Sequence, residues 1–213
     1  METRITALAL VLLALTLTPC VGQETHGALE PENANEARLN RLQPPDRVMD
    51  AIGVKPGMTV AEIGAGRGRY VVQLAVRVGK NGKVYAEDID AEALRYLERR
   101  CNRWGIEHVQ TILGDVADAR LPAGELDLIF VISSYHHFDD PVALMRRARS
   151  ALKPDGVLAI GEWIRREEGS STGTKPEVLT RQMKEAGYKL DRIETFLEAN
   201  NLYLYIFRPD EKR

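Results

Sequence analysis

Cysteine is scarce: the 213-residue chain holds two, Cys20 and Cys101. Cys20 falls in a stretch that reads as a removable leader, so a mature chain would keep Cys101 and have no partner for an intramolecular disulfide. None of the His and Cys residues cluster at ligand spacing, and no metal site is expected. An excess of one charge is also lacking, since 29 Lys and Arg stand against 31 Asp and Glu. That balance leaves no footprint for nucleic acid. Arg95, Arg99 and Arg103 share a helical stripe, but Glu92 and Glu98 break it into a solvated face. The apolar run Ile5 to Leu17 is too short for the ~20 residues a membrane helix needs. What remains, with 44% hydrophobic and 28% charged residues, suits one ordinary globular domain.

That apolar run follows Arg4 and precedes Thr18-Pro-Cys-Val-Gly22, the layout of a secretory signal. Cleavage after Gly22 would place the mature protein outside the cytoplasm, periplasmic or secreted. Leu17-Thr-Pro-Cys20 also resembles a bacterial lipobox, although Pro19 sits where that motif takes a small residue. A lipid anchor at Cys20 is the weaker alternative. Residues 23–36 are polar and read as a flexible linker, Ala37–Leu42 as a short helix, and Pro44-Pro45 as its stop. The expected division is a signal peptide over 1–22, linker and N-terminal helix over 23–44, and the domain proper over 45–213.

The domain is organised around Thr59-Val-Ala-Glu-Ile-Gly-Ala-Gly-Arg-Gly-Arg-Tyr70. A buried strand, a glycine turn at Gly64, Gly66 and Gly68, and a helix from Tyr70 to Val78 make the first βα unit of a doubly wound sheet. Its ligand would sit over the carboxyl end of the strand. Arg69 occupies the place of a dinucleotide fingerprint's third glycine, which counts against NAD or FAD. Glu62 would repel a pyrophosphate and attract a ligand carrying an ammonium and a sulfonium.

Val60-Ala-Glu62-Ile-Gly64-Ala-Gly66-Arg-Gly68 resembles motif I of the class I S-adenosylmethionine-dependent methyltransferases, and the resemblance runs from Pro45 to the end. It implies an α/β, Rossmann-like fold with a seven-stranded sheet in the order 3-2-1-4-5-7-6. Only strand 7 would be antiparallel, as the short link between Tyr188–Thr195 and Leu202–Phe207 also requires. It implies S-adenosylmethionine as methyl donor, held by Glu62, Gly64, Ala65, Gly66, Gly68, Asp88, Ile89, Asp115, Val116 and Ser133. Asp88 ends the second strand about twenty residues past the turn, where an acid can bond a ribose diol. Glu87 would then point away, and Asp90 would cap the helix Ala91–Trp104. Asp115 falls where the family often contacts adenine. Three carboxylates ending three successive strands suit a cationic nucleoside.

Ser133-Ser-Tyr-His-His-Phe138 follows the fourth strand and Glu162 ends the fifth, so Tyr135, His136, His137 and Glu162 face the acceptor question. His136 and Tyr135 are the catalytic candidates, with His137 expected to pack. Absences narrow the acceptor. No Asn/Asp-Pro-Pro-Tyr/Phe and no Cys follow strand four, which disfavours amino-adenine, glutamine and cytosine C5. No insertion after strand five offers a macromolecular docking domain. A small-molecule acceptor is expected, by in-line displacement and without nucleic acid. The alternative is an exported module that binds a nucleoside without turnover. A nicotinamide oxidoreductase conflicts with Glu62 and Arg69.

Overall fold

The computed structural model describes residues 29–165 and 172–210. The signal-peptide and lipid-anchor expectations, and the middle of the Arg165–Lys175 loop, lie outside them. Seven strands form one sheet in the order β3-β2-β1-β4-β5-β7-β6. They are β1 (Thr59–Ile63), β2 (Lys83–Asp88), β3 (Val109–Leu113), β4 (Leu126–Ile132), β5 (Leu152–Trp163), β6 (Tyr188–Glu194) and β7 (Leu202–Pro209). β1 pairs parallel with β2 and β4, and β4 with β5. β7 runs antiparallel to both β5 and β6. Order and sense are those read from the sequence. β1 and β4 are buried along nearly their whole length, which is why they read as continuous apolar runs.

One face of the sheet carries α2 (Pro45–Ile52), α3 (Val71–Val78) and α4 (Ala91–Trp104), whose Val48, Leu74 and Leu97 pack onto Val60, Val84 and Phe130. Cys101 belongs to this core, buried and free of any disulfide. The other face carries α5 (Pro141–Ala148) and α6 (Pro176–Glu185), where Met145 and Met183 meet Ile129 and Ile160. Capping fixes the helix ends. Asp90 accepts hydrogen bonds from the backbone N–H groups of Glu92 and Ala93, and Gly105 closes α4 in the left-handed conformation at φ 63°. Such a cap stabilises a helix by about 1 kcal/mol.

Lys153-Pro-Asp-Gly156 lies within β5, with an irregular register between the Leu126 and Leu128 pairs. Leu152 pairs with Leu126 before the proline and glycine interrupt the ladder. One expectation needs correction: residues 29–36 do not behave as a linker. Helix α1 (Ala34–Leu42) is capped by Asn33, which accepts from the Glu36 N–H. Its Glu36 is buried against Arg100 of α4, with Nη2 to Oε1 at 2.6 Å. Glu32 adds contacts to Arg100 at 3.4 Å and to Arg103 and Tyr96. The Gln73 amide reaches the Leu29 carbonyl at 3.0 Å. The segment is clasped across the glycine turn.

Candidate cofactor and acceptor site

The sheet places the site at the carboxyl ends of β1, β2, β3 and β4. All three glycines of the turn take positive φ, 75° at Gly64, 53° at Gly66 and 82° at Gly68, a conformation disfavoured for side chains. A Cβ on Gly64 would lie 2.7 Å from Ser134 Oγ, so the backbone there runs hard against the turn after β4. The turn is pinned from β2. Asp88 Oδ2 accepts from the Gly66 N–H at 2.7 Å, and the Glu87 carbonyl accepts from Gly64 and Ala65.

Two cavities adjoin at Gly64. The first, of 320 Å³, is lined by Gly64, Asp88, Ile89, Asp115 and Val116 with Ser134, His137 and Phe138. Ile89 and Val116 stay largely exposed, two apolar side chains left facing this space. The second, of 310 Å³, is lined by Glu62, Gly64, Ala65, Gly66 and Ser133 with Glu36 and Arg69. Nine of the ten residues expected at the cofactor therefore meet around one turn. Gly68 is the exception. It lines neither cavity; its φ of 82° favours glycine, and a Cβ there would also press on Leu97 Cδ1 of α4.

Electrostatics sharpen the division. Glu62 is buried and its pKa is pushed up to about 8, chiefly by desolvation, with Arg69 opposing and Asp88 adding repulsion. Its Oε2 has no hydrogen-bond partner among the described residues. A buried acceptor bordering a cavity and lacking a donor fits a ligand that brings one, such as an ammonium. Arg69 opposes that shift only in part through its charge; its guanidinium hydrogen-bonds Gln43 Oε1 at 2.5 Å and lies over the Tyr70 ring. Gln43, fully buried, also donates to Ser133 Oγ at 2.8 Å, tying the N-terminal helices to the turn after β4. Nothing in the sequence around this single Gln marked that role.

Glu87, expected to point away, is among the residues lining the first cavity beside Asp88. Its carboxyl packs beneath Gly114, where a Cβ would meet Oε1 at 1.8 Å. Burial, then repulsion from Asp88, raises it to about 8. Asp115 is held otherwise: its Oδ1 accepts from the Val116 N–H at 2.7 Å and its Oδ2 lies 3.6 Å from Arg120.

The catalytic candidates separate. Tyr135 is buried in the core and donates to Gln182 Oε1 at 2.9 Å, so it is withdrawn from the crevice. His137, expected to pack, is exposed and lines the first cavity. His136 turns inward, with Nδ1 2.7 Å from Glu162 Oε1. Among the described residues no group of His, Cys, Asp or Glu could hold a metal ion.

A doubly wound sheet with a glycine turn and acids ending β1 and β2 is the α/β architecture of the methyltransferase type. Comparison with known proteins makes this particular. Residues 60–156 match the family described as "Methyltransferase domain". Nocamycin O-methyltransferase of Saccharothrix syringae is 32% identical over 114 residues, covering 54% of this chain and 41% of that protein. Protein-L-isoaspartate O-methyltransferase of Pyrococcus horikoshii is 30% identical over 134 residues, 58% of this chain and 57% of that one. A crystal structure of a SAM-dependent methyltransferase from Aquifex aeolicus superposes with a TM-score of 0.70 at 27% identity, covering 81% of this chain and 96% of that one. Over this region the chain is similar to S-adenosylmethionine-dependent methyltransferases, and it spans between two and three fifths of these two relatives' length.

Proposed function

We propose that this protein transfers the methyl group of S-adenosylmethionine to a small-molecule acceptor, releasing S-adenosylhomocysteine. The observation that carries the reading is the pair of adjoining cavities around Gly64, bounded by carboxylates from three successive strand ends. Asp88 would accept from the ribose hydroxyls, Ile89 and Val116 would flank the base with Asp115 at its edge, and Glu62 would meet the ammonium. The bound donor supplies a methyl already activated by its sulfonium. This chain's residues have then to orient an acceptor behind it in a dry site. Kinship with a nocamycin methyltransferase supports a small acceptor.

Export remains part of the reading, on the strength of Arg4, the run Ile5–Leu17 and Cys20 in the sequence. It also favours the second reading, a nucleoside-binding module without turnover, because the donor is made in the cytosol. Titration calorimetry with S-adenosylmethionine and NADH tests ligand choice, and release of S-adenosylhomocysteine over an acceptor panel tests turnover. Binding of S-adenosylmethionine without release for any acceptor would favour the module. Preference for NADH would refute both. The mass of the mature N-terminus from fractionated cells tests export, and an intact Met1 on cytosolic protein would refute it.

A further inference from the structure

We propose that Gln43 is a positioning residue that aims the Arg69 guanidinium and the Ser133 hydroxyl into the second cavity, where the two bind the carboxylate of the donor's amino-acid end. The inference rests on the methyltransferase reading above. Gln43 caps the carboxyl end of α1 and is fully buried, so it touches no ligand itself. It acts through two residues that can, since Arg69 and Ser133 both line the second cavity beside Glu62.

The hydrogen bonds decide which way its amide faces. A guanidinium has only donors, so Arg69 Nη2 at 2.5 Å requires Oε1 on its side. The amide nitrogen is thereby turned to Ser133 Oγ, at 2.8 Å. Having accepted that bond, the Ser133 hydroxyl keeps its own proton to donate, at the edge of a cavity it lines. Gln43 is also held by its backbone. Its carbonyl accepts from the Tyr70 hydroxyl at 2.8 Å, and its N–H donates to the Leu39 carbonyl at 2.8 Å. The preceding carbonyl, that of Leu42, accepts from Asn200 Nδ2 at 2.7 Å. An apolar side chain of similar volume would fill the same space, but it could aim neither group.

Strain and charge both point to a ligand here. Ser133 holds φ at 55°, a left-handed conformation that persists in a non-glycine residue only where its surroundings over-determine it. Its N–H is tied to the Gly161 carbonyl at 2.8 Å. The Arg69 guanidinium is held by neutral groups: Asn40 Oδ1 at 3.3 Å, Gln43, and the Tyr70 ring with its centroid 4.4 Å away. Of the two acids lining the cavity, Glu36 is taken by Arg100, and burial pushes Glu62 up to about 8, so it is protonated at neutral pH. The cavity therefore offers an uncompensated cation, an aimed hydroxyl, and a carboxyl with one atom lacking a partner among the described residues. An α-amino acid carries the complement of all three on one carbon. Its ammonium meets Glu62, and its carboxylate accepts from Arg69 and Ser133, so each charge acquires a partner.

The test uses the full chain and two ligands that differ at one group. They are S-adenosylhomocysteine and its decarboxylated analogue S-adenosyl-3-thiopropylamine, which keeps the nucleoside, the thioether and the ammonium. In calorimetric titrations at neutral pH the parent should bind the amino acid about tenfold or more tighter than the amine, the usual worth of a charged hydrogen bond. Gln43→Glu keeps the length of the side chain and an oxygen for Arg69, so a contact that merely ties α1 down survives it. Its carboxylate, ionised against Arg69, has no N–H for Ser133. The Ser133 hydroxyl then donates to it, away from the cavity, and the guanidinium charge is satisfied within the protein. The preference for S-adenosylhomocysteine should collapse while the amine binds at least as tightly as to the parent. Gln43→Met separates aim from charge, because it is neutral and of similar length. It frees both groups, and most of the preference should go with them.

Parental preference in the Gln43→Met chain would overturn the proposal. So would losses that are equal for the two ligands in both variants, because Gln43 would then hold the fold alone. A parent that binds the two ligands alike would overturn the carboxylate contact, whereas a parent that binds neither would overturn the functional reading itself.

Discussion

At the scale of single residues, Asp88 and Glu62 do different work with the same functional group. Asp88 already accepts from the N–H groups of Gly66 and Asp90, so its charge is stabilised by backbone and it stands ready for two hydroxyls. Asp88→Ala should weaken S-adenosylmethionine binding by about 1–3 kcal/mol, as charged hydrogen bonds are lost and the turn loosens. Calorimetry measures this directly, and parental affinity would mean the ribose lies elsewhere. Glu62 has a single backbone donor, the Val71 N–H, against the desolvation that raises its pKa to about 8, which leaves it protonated at neutral pH in the ligand-free chain. An arriving ammonium should expel that proton. At pH 7, binding enthalpies in buffers of different ionisation heat should therefore reveal proton release, and affinity should weaken as pH falls below 8. Glu62→Gln should bind more weakly and release fewer protons. Equal proton release by parent and variant would place the titrating group elsewhere.

At the scale of elements, the clasp between α1 and α4 decides whether the second cavity has a wall. Glu36 and Arg100 are both buried, and removing one partner strands the other. Glu36→Ala should cost about 3–5 kcal/mol. Asp50→Ala, which removes an exposed partner of Arg77, should cost about 1 kcal/mol or less. Chemical denaturation of the two variants gives the comparison, and equal losses would show that burial of the pair is immaterial. This clasp was also the part of the fold least legible in the sequence. The strand order followed from the resemblance to the methyltransferases, and the antiparallel β7 and the helix Ala91–Trp104 from a short connection, a cap and apolar spacing. Residues 29–36 were masked by their polarity, because the partner that buries Glu36 lies 64 positions away. Asn33 with Glu36 three residues on was a readable helix start. At the site, the glycine turn and an acid about twenty residues beyond it are local spacings, whereas Asp115 was expected from the resemblance alone. Which histidine faces the cavity could not, since a single turn of 3-10 helix over Tyr135–His137 sends neighbouring side chains in different directions. Gln43 and the Glu162 contact depend on packing between distant segments, which no local pattern encodes.

At the scale of the whole molecule, three buried acids share one end of the sheet. Glu62, Glu87 and Glu162 are each raised to about 8, mainly by desolvation. Each binds its proton more tightly in the folded chain than in the unfolded one, where a glutamate titrates near 4.5. Between those values the folded state holds the extra protons, so stability is fully present at low pH and declines as pH rises towards 8. Each proton so retained contributes a slope of up to about 1.4 kcal/mol per pH unit. His136 works the other way below its ordinary value of 6.5, because burial keeps the folded imidazole neutral while the unfolded one charges. Glu32, whose pKa is lowered by its Tyr96 bond against partial burial, acts only below about 4.5. The cleanest window is therefore pH 6.5 to 8, where the melting temperature of the ligand-free chain should fall with rising pH. Glu62→Gln should make that fall shallower by removing one of the three protons. Saturating S-adenosylmethionine should flatten it too, since an ammonium against Glu62 favours the ionised carboxylate. Scanning calorimetry of ligand-free parent, variant and complex across that window is the measurement. A melting temperature that climbs from pH 6.5 to 8 in the ligand-free chain would show that these carboxyls are ionised in the folded protein. The ammonium site would then be charged before its ligand arrives.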